Sequence, residues 1–298
     1  MKKEIVEINE IRQRANQIFE GLDCTENTRK DYSSRVGLFV SYVQERGLDR
    51  NTYLYFKRHL ESRTDYTIST KNKYLATARI FLKELNRLGF LPVDITQNIK
   101  QFCQSKKHKK DGFTEDEIME LLTKLESLPN TPNKARLRAL FFLLALQGLR
   151  QIEIIRLDVN DIDLVRKVAF VRGKGSDDKE LVYLTPQTVN SLREYMKANK
   201  VGSGALFKSM GNRKSDRIST MTIKRQLGAL CKSVGINKAT HGFRHFFITA
   251  LLKKLDVRDV RKFSRHSSLE MLIVYDDELD LKRKVPDVFQ VFEKFNVK

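Results

Sequence analysis

Between Pro92 and Gly112 the apolar periodicity that fills most of this chain stops. Pro92 is followed by the run SKKHKKDG (105–112), in which four lysines stand among breakers with no apolar side chain. A stretch of that kind has no face to bury and reads as a linker. A chain of 298 residues is also too long for one ordinary core. The seam falls at about 90–112, with the basic linker itself at 105–112. The expected organisation is a helical domain over 1–104 and a second domain over 113–298.

Upstream of the seam the pattern is helical. Tyr32, Val36, Phe39, Val40 and Val43 form one apolar stripe that Gly47 closes. Tyr74, Leu75, Ala78, Phe81, Leu82, Leu85 and Leu88 form another that Gly89 stops. NTYLYFKRHLESR supplies a shorter helix between them and residues 7–20 a further one, which together make a four-helix bundle. Downstream, Thr114 and Glu117 have capping-box spacing ahead of EDEIMELLTKL. NKARLRALFFLLALQG is apolar nearly all round and predicts a buried central helix. KVAFVRGKGSDDKELVYLT reads as two strands about a Gly-Ser-Asp-Asp turn. Helices are expected at about 186–199, 219–234, 241–255, 256–264 and 268–275. The tail carries Val285, Val288, Phe289, Phe292 and Phe295 on one stripe. The fold class is mainly α with a small β-hairpin.

The charge balance narrows the partners. Lys+Arg number 56 against 37 Asp+Glu, a net +19, which draws nucleic acid or an anionic surface. No apolar run is long enough for a bilayer span, and the N-terminus lacks the apolar core of a secretory signal. Cys24, Cys103 and Cys231 are odd in number and widely spaced, unlike a disulfide framework or a zinc site. A reducing cytoplasm, in association with the nucleoid, is the expected location. Lys106, Lys107, Lys109 and Lys110 in the linker either track DNA phosphates or are simply solvated.

One constellation carries chemistry. His241 and Arg244 in THGFRHFF stand three apart, hence on one face of a helix. His266 follows after a helical stretch, Tyr275 nine residues later, and Arg150 lies upstream in LQGLRQIEI. A phenol ionises near pH ~10 and needs help to attack at neutral pH. Guanidinium groups answer the charge that develops on non-bridging phosphate oxygens, and histidines share hydrogen bonds or protons. No carboxylate cluster of the two-metal kind appears in the sequence, and no Walker or Rossmann glycine pattern. The pattern points to phosphoryl transfer through a tyrosyl intermediate without metal, nucleotide or other cofactor.

GLRQIEIIRLDVNDID, VRGKGSDDKELVYLT, HGFRHFFITALL and RHSSLEMLIVYDDE, in that order, resemble the signature boxes of the tyrosine recombinase (phage integrase) family, and the chain looks like an Xer-like site-specific recombinase. The resemblance covers about residues 112–276, and the N-terminal bundle is similar to the family's SAM-like core-binding domain. It implies a catalytic set of Arg150, Lys174, His241, Arg244 and His266 with Tyr275 as nucleophile, and Glu153 as the acid that orients Arg150. Three departures are visible. Phe243 replaces the usual leucine, the usual threonine before Tyr275 is absent, and Arg265 replaces the usual glycine before the second histidine. Arg265 is expected either to alter the local turn or to contact a phosphate.

The resemblance further implies double-stranded DNA as partner, a 3′-phosphotyrosyl intermediate, a Holliday junction and a homo-tetramer on two sites. A type IB topoisomerase would use the same residues. A non-enzymatic DNA-binding protein would explain the charge but not the ordered boxes, and a membrane-surface binder would need a basic amphipathic helix.

Overall fold

The computed structural model describes residues 18–104, 112–173, 178–209, 216–266, 268–270 and 272. Tyr275, Lys174, the four linker lysines, residues 7–17 and the apolar tail stripe all lie outside them. The chain divides into two compact units, Met1–Lys106 and Lys107–Lys298.

The first unit holds α1 (Glu26–Arg46), α2 (Thr52–Ser62) and α3 (Ile68–Arg87), with residues 18–20 also helical. Thr25 and Thr67 cap α1 and α3 by accepting from the amides three residues on. Gly47 and Gly89, at φ 79° and 83°, take the left-handed turns that end the two long helices. Phe19, Phe39, Phe56 and Phe81 meet in the centre, with the Phe39 and Phe56 rings edge to face at 4.9 Å.

Residues 90–104 are irregular, yet they belong to this unit, which corrects the reading of the seam as starting at about 90. Phe90, Leu91, Ile95, Ile99 and Phe102 pack on the bundle. Asn72 donates to the Phe102 carbonyl at 3.0 Å and accepts from its amide at 2.9 Å. Arg79 donates to the Ile99 carbonyl. Side chains of α3 therefore supply the partners that a helix or sheet would otherwise give this backbone.

The second unit opens with α4 (Glu115–Glu126), whose capping box forms as the spacing predicts: the Thr114 amide donates to Glu117 Oε2 at 2.7 Å, and Glu117 N–H to Thr114 Oγ1 at 3.2 Å. Next is α5 (Pro132–Ala145), where every residue from Ala139 to Ala145 is buried. A short helix α6 (Gln151–Arg156) follows, then strands β1 (Ile162–Asp163), β2 (Val168–Arg172) and β3 (Lys179–Tyr183). These make an antiparallel sheet in the order β1-β2-β3, with Phe170 opposite Leu181 and Ala169 opposite Val182. Helices α7 (Pro186–Ala198), α8 (Thr220–Lys232), α9 (His241–Leu252) and α10 (Val257–Ser264) follow among the described residues. Its core gathers α4, α5, the inner sheet face, α7, α8 and Phe243 of α9.

The entry of the chain into this unit is fastened to α9. Phe113 N–H donates to the Gly242 carbonyl at 3.4 Å, and its ring stacks on Phe243 at 4.3 Å. Lys238 Nζ reaches the Gly112 carbonyl at 2.8 Å and Glu117 Oε2 at 2.7 Å. A Cβ on Gly112 would overlap the His245 imidazole, so only glycine allows the approach.

Candidate active site

The turn between α5 and α6 is the platform on which the site is built. The Leu149 amide donates back to the Leu143 carbonyl, and Gly148 takes φ 58°. A Cβ at Gly148 would run into the ring of Phe247 on α9. The close approach of α9 to this turn and the left-handed backbone both require glycine.

Arg150 is the N-cap of α6. Its amide donates to Glu153 Oε2 and its Nη1 pairs with Glu153 Oε1, both at 2.8 Å. Its Nη2 reaches the Arg265 carbonyl at 3.4 Å. Glu153 is 1% exposed. Burial pushes its carboxyl pKa up, but the Arg265 charge together with the Arg150 amide and guanidinium outweighs that and holds it below the usual range. The carboxylate therefore stays ionised and orients Arg150, the task that the resemblance assigned to it.

His241 opens α9 and is exposed, while Arg244, one turn on, is 2% exposed. Arg244 donates from Nη1 to the Gly148 carbonyl at 2.6 Å and from Nη2 to the Ser264 carbonyl. The same Nη2 lies 3.4 Å from His266 Nε2. Arginine has no acceptor, so this contact needs a lone pair on Nε2. The ring proton then sits on Nδ1, 2.7 Å from Ser264 Oγ, which in turn donates to the Arg261 carbonyl at 3.4 Å. Burial and then the charges of Arg244, Arg150, Arg265 and His241 lower the His266 pKa to about 3. His266 is a neutral imidazole held in one tautomer.

The fold brings Arg150, Arg244 and His266 together around the Gly148 turn, with His241 close enough to act on His266 by its charge. Gln151 donates to Thr240 Oγ1, tying α6 to the start of α9. Phe243 faces the core between Phe113 and Phe141, so the leucine-to-phenylalanine departure is a packing matter. Arg265 does not fit the expected phosphate contact. Its side chain is 4% exposed and its Nη2 pairs with Glu153 Oε2 at 3.1 Å, so the guanidinium points inward. Ser264 and the Gly148 carbonyl are parts of the site that sequence reasoning missed. Ser264 lies only two residues before His266, but a serine beside a histidine is too common to stand out, and a carbonyl carries no sequence signal.

Residues 112–281 match the Phage integrase family. That span covers more than half of the chain and every described site residue. The chain belongs to the phage integrase family. Among its relatives is the tyrosine recombinase XerC of Lactobacillus delbrueckii subsp. bulgaricus, 28% identical over 217 residues, which are 70% of this chain and 71% of the relative. Among solved structures, the XerH site-specific recombinase bound to palindromic difH substrate in a post-cleavage complex matches with a TM-score of 0.73 at 16% identity, over 93% of this chain and 84% of that one. A lambda integrase tetramer bound to a Holliday junction matches at 0.70 and 14% identity, over 92% and 78%. At those identities the two structures speak for the fold, that of the integrases. Among the described residues no helix is long and apolar enough to cross a membrane.

Proposed function

We infer that this protein is a site-specific DNA recombinase that cuts and rejoins duplex DNA through a phosphotyrosyl intermediate. The observation that carries the reading is the convergence of Arg150, Arg244 and His266 on one turn. Arg244 reaches the carbonyl of Gly148, 96 residues away, and Arg150 the carbonyl of Arg265, 115 residues away, inside the domain that matches the family.

In this reading Tyr275 Oη attacks the scissile phosphorus, and the bond to the 5′-oxygen of the next nucleotide breaks. The products are a 3′-phosphotyrosyl link and a free 5′-hydroxyl. Arg150 and Arg244 take the charge that builds on the non-bridging oxygens, with the planar fork that suits a phosphate. Neutral His266 accepts a hydrogen bond from Arg244 at Nε2 and so steadies that guanidinium, while His241 at the exposed start of α9 takes the phenol proton and hydrogen-bonds the phosphate. Lys174 protonates the leaving 5′-oxygen. The hydroxyl of a partner duplex then attacks the phosphotyrosine and reverses the chemistry on the other strand. The covalent link keeps the bond energy, so neither ATP hydrolysis nor a bound metal enters a step.

The net charge of +19 supports a polyanionic partner. The likeness to an integrase crystallised as a tetramer on a Holliday junction supports assembly of four copies on two sites. Action on DNA in the cytoplasm, at the nucleoid, accords with this. A nicked suicide duplex tests the chemistry: wild type should become covalently attached, and Tyr275→Phe should bind the DNA without attachment. Attachment through another tyrosine would overturn the assignment. Recombinant products from paired sites, rather than simple relaxation of a supercoiled circle, distinguish recombinase from topoisomerase.

A further inference from the structure

Position 265 is where the chain leaves its resemblance most abruptly, with arginine in place of glycine. The backbone there is left-handed, at φ 54° and ψ 49°, a conformation that disfavours any residue with a Cβ. The side chain attached to that unfavourable backbone is not wasted on solvent. Its Nη2 pairs with Glu153 Oε2 at 3.1 Å and lies 3.4 Å from the Gly148 carbonyl that Arg244 also uses, while its Nη1 donates to the Phe263 carbonyl at 3.0 Å. The left-handed turn also aims the Arg265 carbonyl at Arg150 Nη2.

We propose that Arg265 is a positioning residue for DNA strand cleavage, which fixes the Glu153 carboxylate and thereby the guanidinium of Arg150. The proposal rests on the reading of Arg150 as a transition-state clamp. Glu153 Oε1 takes Arg150 Nη1, whereas Oε2 is shared between the Arg150 amide and Arg265 Nη2. With the second cation removed, Oε2 keeps one donor, and the carboxylate gains freedom to turn and carry Arg150 with it. Arg150 is the site arginine that reaches the surface, its side chain 28% exposed, so it depends most on what stands behind it. Glycine could make the same turn but would leave Glu153 with a single cation.

The test compares Arg265→Gly, which relieves the backbone, with Arg265→Met, which keeps the backbone cost and removes the guanidinium charge together with its hydrogen bonds. Single-turnover cleavage of a suicide duplex at saturating protein, half-site Kd and its salt dependence are measured for each. Both variants should bind with unchanged Kd and salt slope, yet cleave at least ~10-fold more slowly, the scale expected when a clamp is misplaced. Arg265→Lys should recover part of the rate. In a Glu153→Gln background the Arg265→Gly change should cost little more, because both act through one carboxylate. Wild-type cleavage rates in Arg265→Gly and Arg265→Met would overturn the proposal, as would weakened binding with a shallower salt slope and normal cleavage at saturation, the signature of a phosphate contact. Failure of wild type itself to cleave any duplex would instead remove the proposed function, and this inference with it.

Discussion

Arg244 and His266 show how the site holds charge before any phosphate arrives. Arg244 is 2% exposed and sits among carbonyl oxygens, which orient a guanidinium without cancelling it. Arg244→Ala should slow cleavage by at least ~10²-fold, comparable to losing an oxyanion donor. It should also destabilise the fold by about 1–3 kcal/mol, because buried carbonyls lose their partner. Lysine should rescue poorly for want of the planar fork. Single-turnover cleavage and thermal unfolding check these expectations, and near-normal cleavage by Arg244→Ala would exclude it from the clamp. His266 gives a pH prediction. Its folded pKa is about 3 against the ordinary 6.5, so the unfolded chain binds the extra proton between those values. Its contribution to stability is complete above about pH 6.5 and is lost as pH falls toward about 3. Unfolding followed across that window should show His266→Gln with a weaker acid dependence than wild type; an equal dependence would place the titration elsewhere.

At the scale of elements, the residues that made the helices legible are the ones that bury them. The Val36–Phe39–Val40–Val43 stripe and the all-round apolar α5 are packing demands written as spacing. What escaped was too short for a period, or held by something other than a period. The helix α6 has six residues and β1 two. The segment 90–104 is ordered by Asn72 and Arg79, whose hydrogen bonds to distant carbonyls leave no local trace. The spacing of His241 and Arg244 put them on one face, but nothing in it told that one would be exposed and the other enclosed. The inward turn of Arg265 was equally hidden, since it depends on a carboxylate 112 residues away. The contact of α9 with the Gly148 turn gives the prediction at this scale. Gly148→Ala must strain a left-handed backbone and displace Phe247, at a combined cost of about 2–4 kcal/mol. Phe247→Ala in the same chain should not restore the full loss, because the backbone part remains. Chemical denaturation of the two variants separates the contributions, and a Gly148→Ala chain as stable as wild type would show that the turn is not held as described.

For the whole molecule, the excess of basic residues was readable as a count, but where it acts was not. If the linker lysines track phosphates, replacing Lys106, Lys107, Lys109 and Lys110 with Gln should flatten the slope of log K against log salt by about 3–4 units. An unchanged slope would mean that they are only solvated. The apolar tail stripe Val285, Val288, Phe289, Phe292 and Phe295 bears on assembly in the same way. Removing residues 284–298 should leave one copy able to bind a half-site while abolishing cooperative binding, measured by gel shift on full sites. Truncated protein that still forms synaptic tetramers would absolve the tail.

The fastening of Gly112 and Phe113 to α9 has a consequence for anyone building chimaeras. A natural place to exchange one N-terminal unit for another is the short basic stretch between the two compact units. Yet the first residues after it are already part of the catalytic unit, because Lys238, Gly242 and Phe243 hold them. A splice made after Gly112 would discard a glycine that no other residue can replace against His245, and would hand α9 a foreign lead-in. A splice made before it would leave the reactive half with its own doorstep intact. Portability of the catalytic half thus turns on one glycine at its threshold.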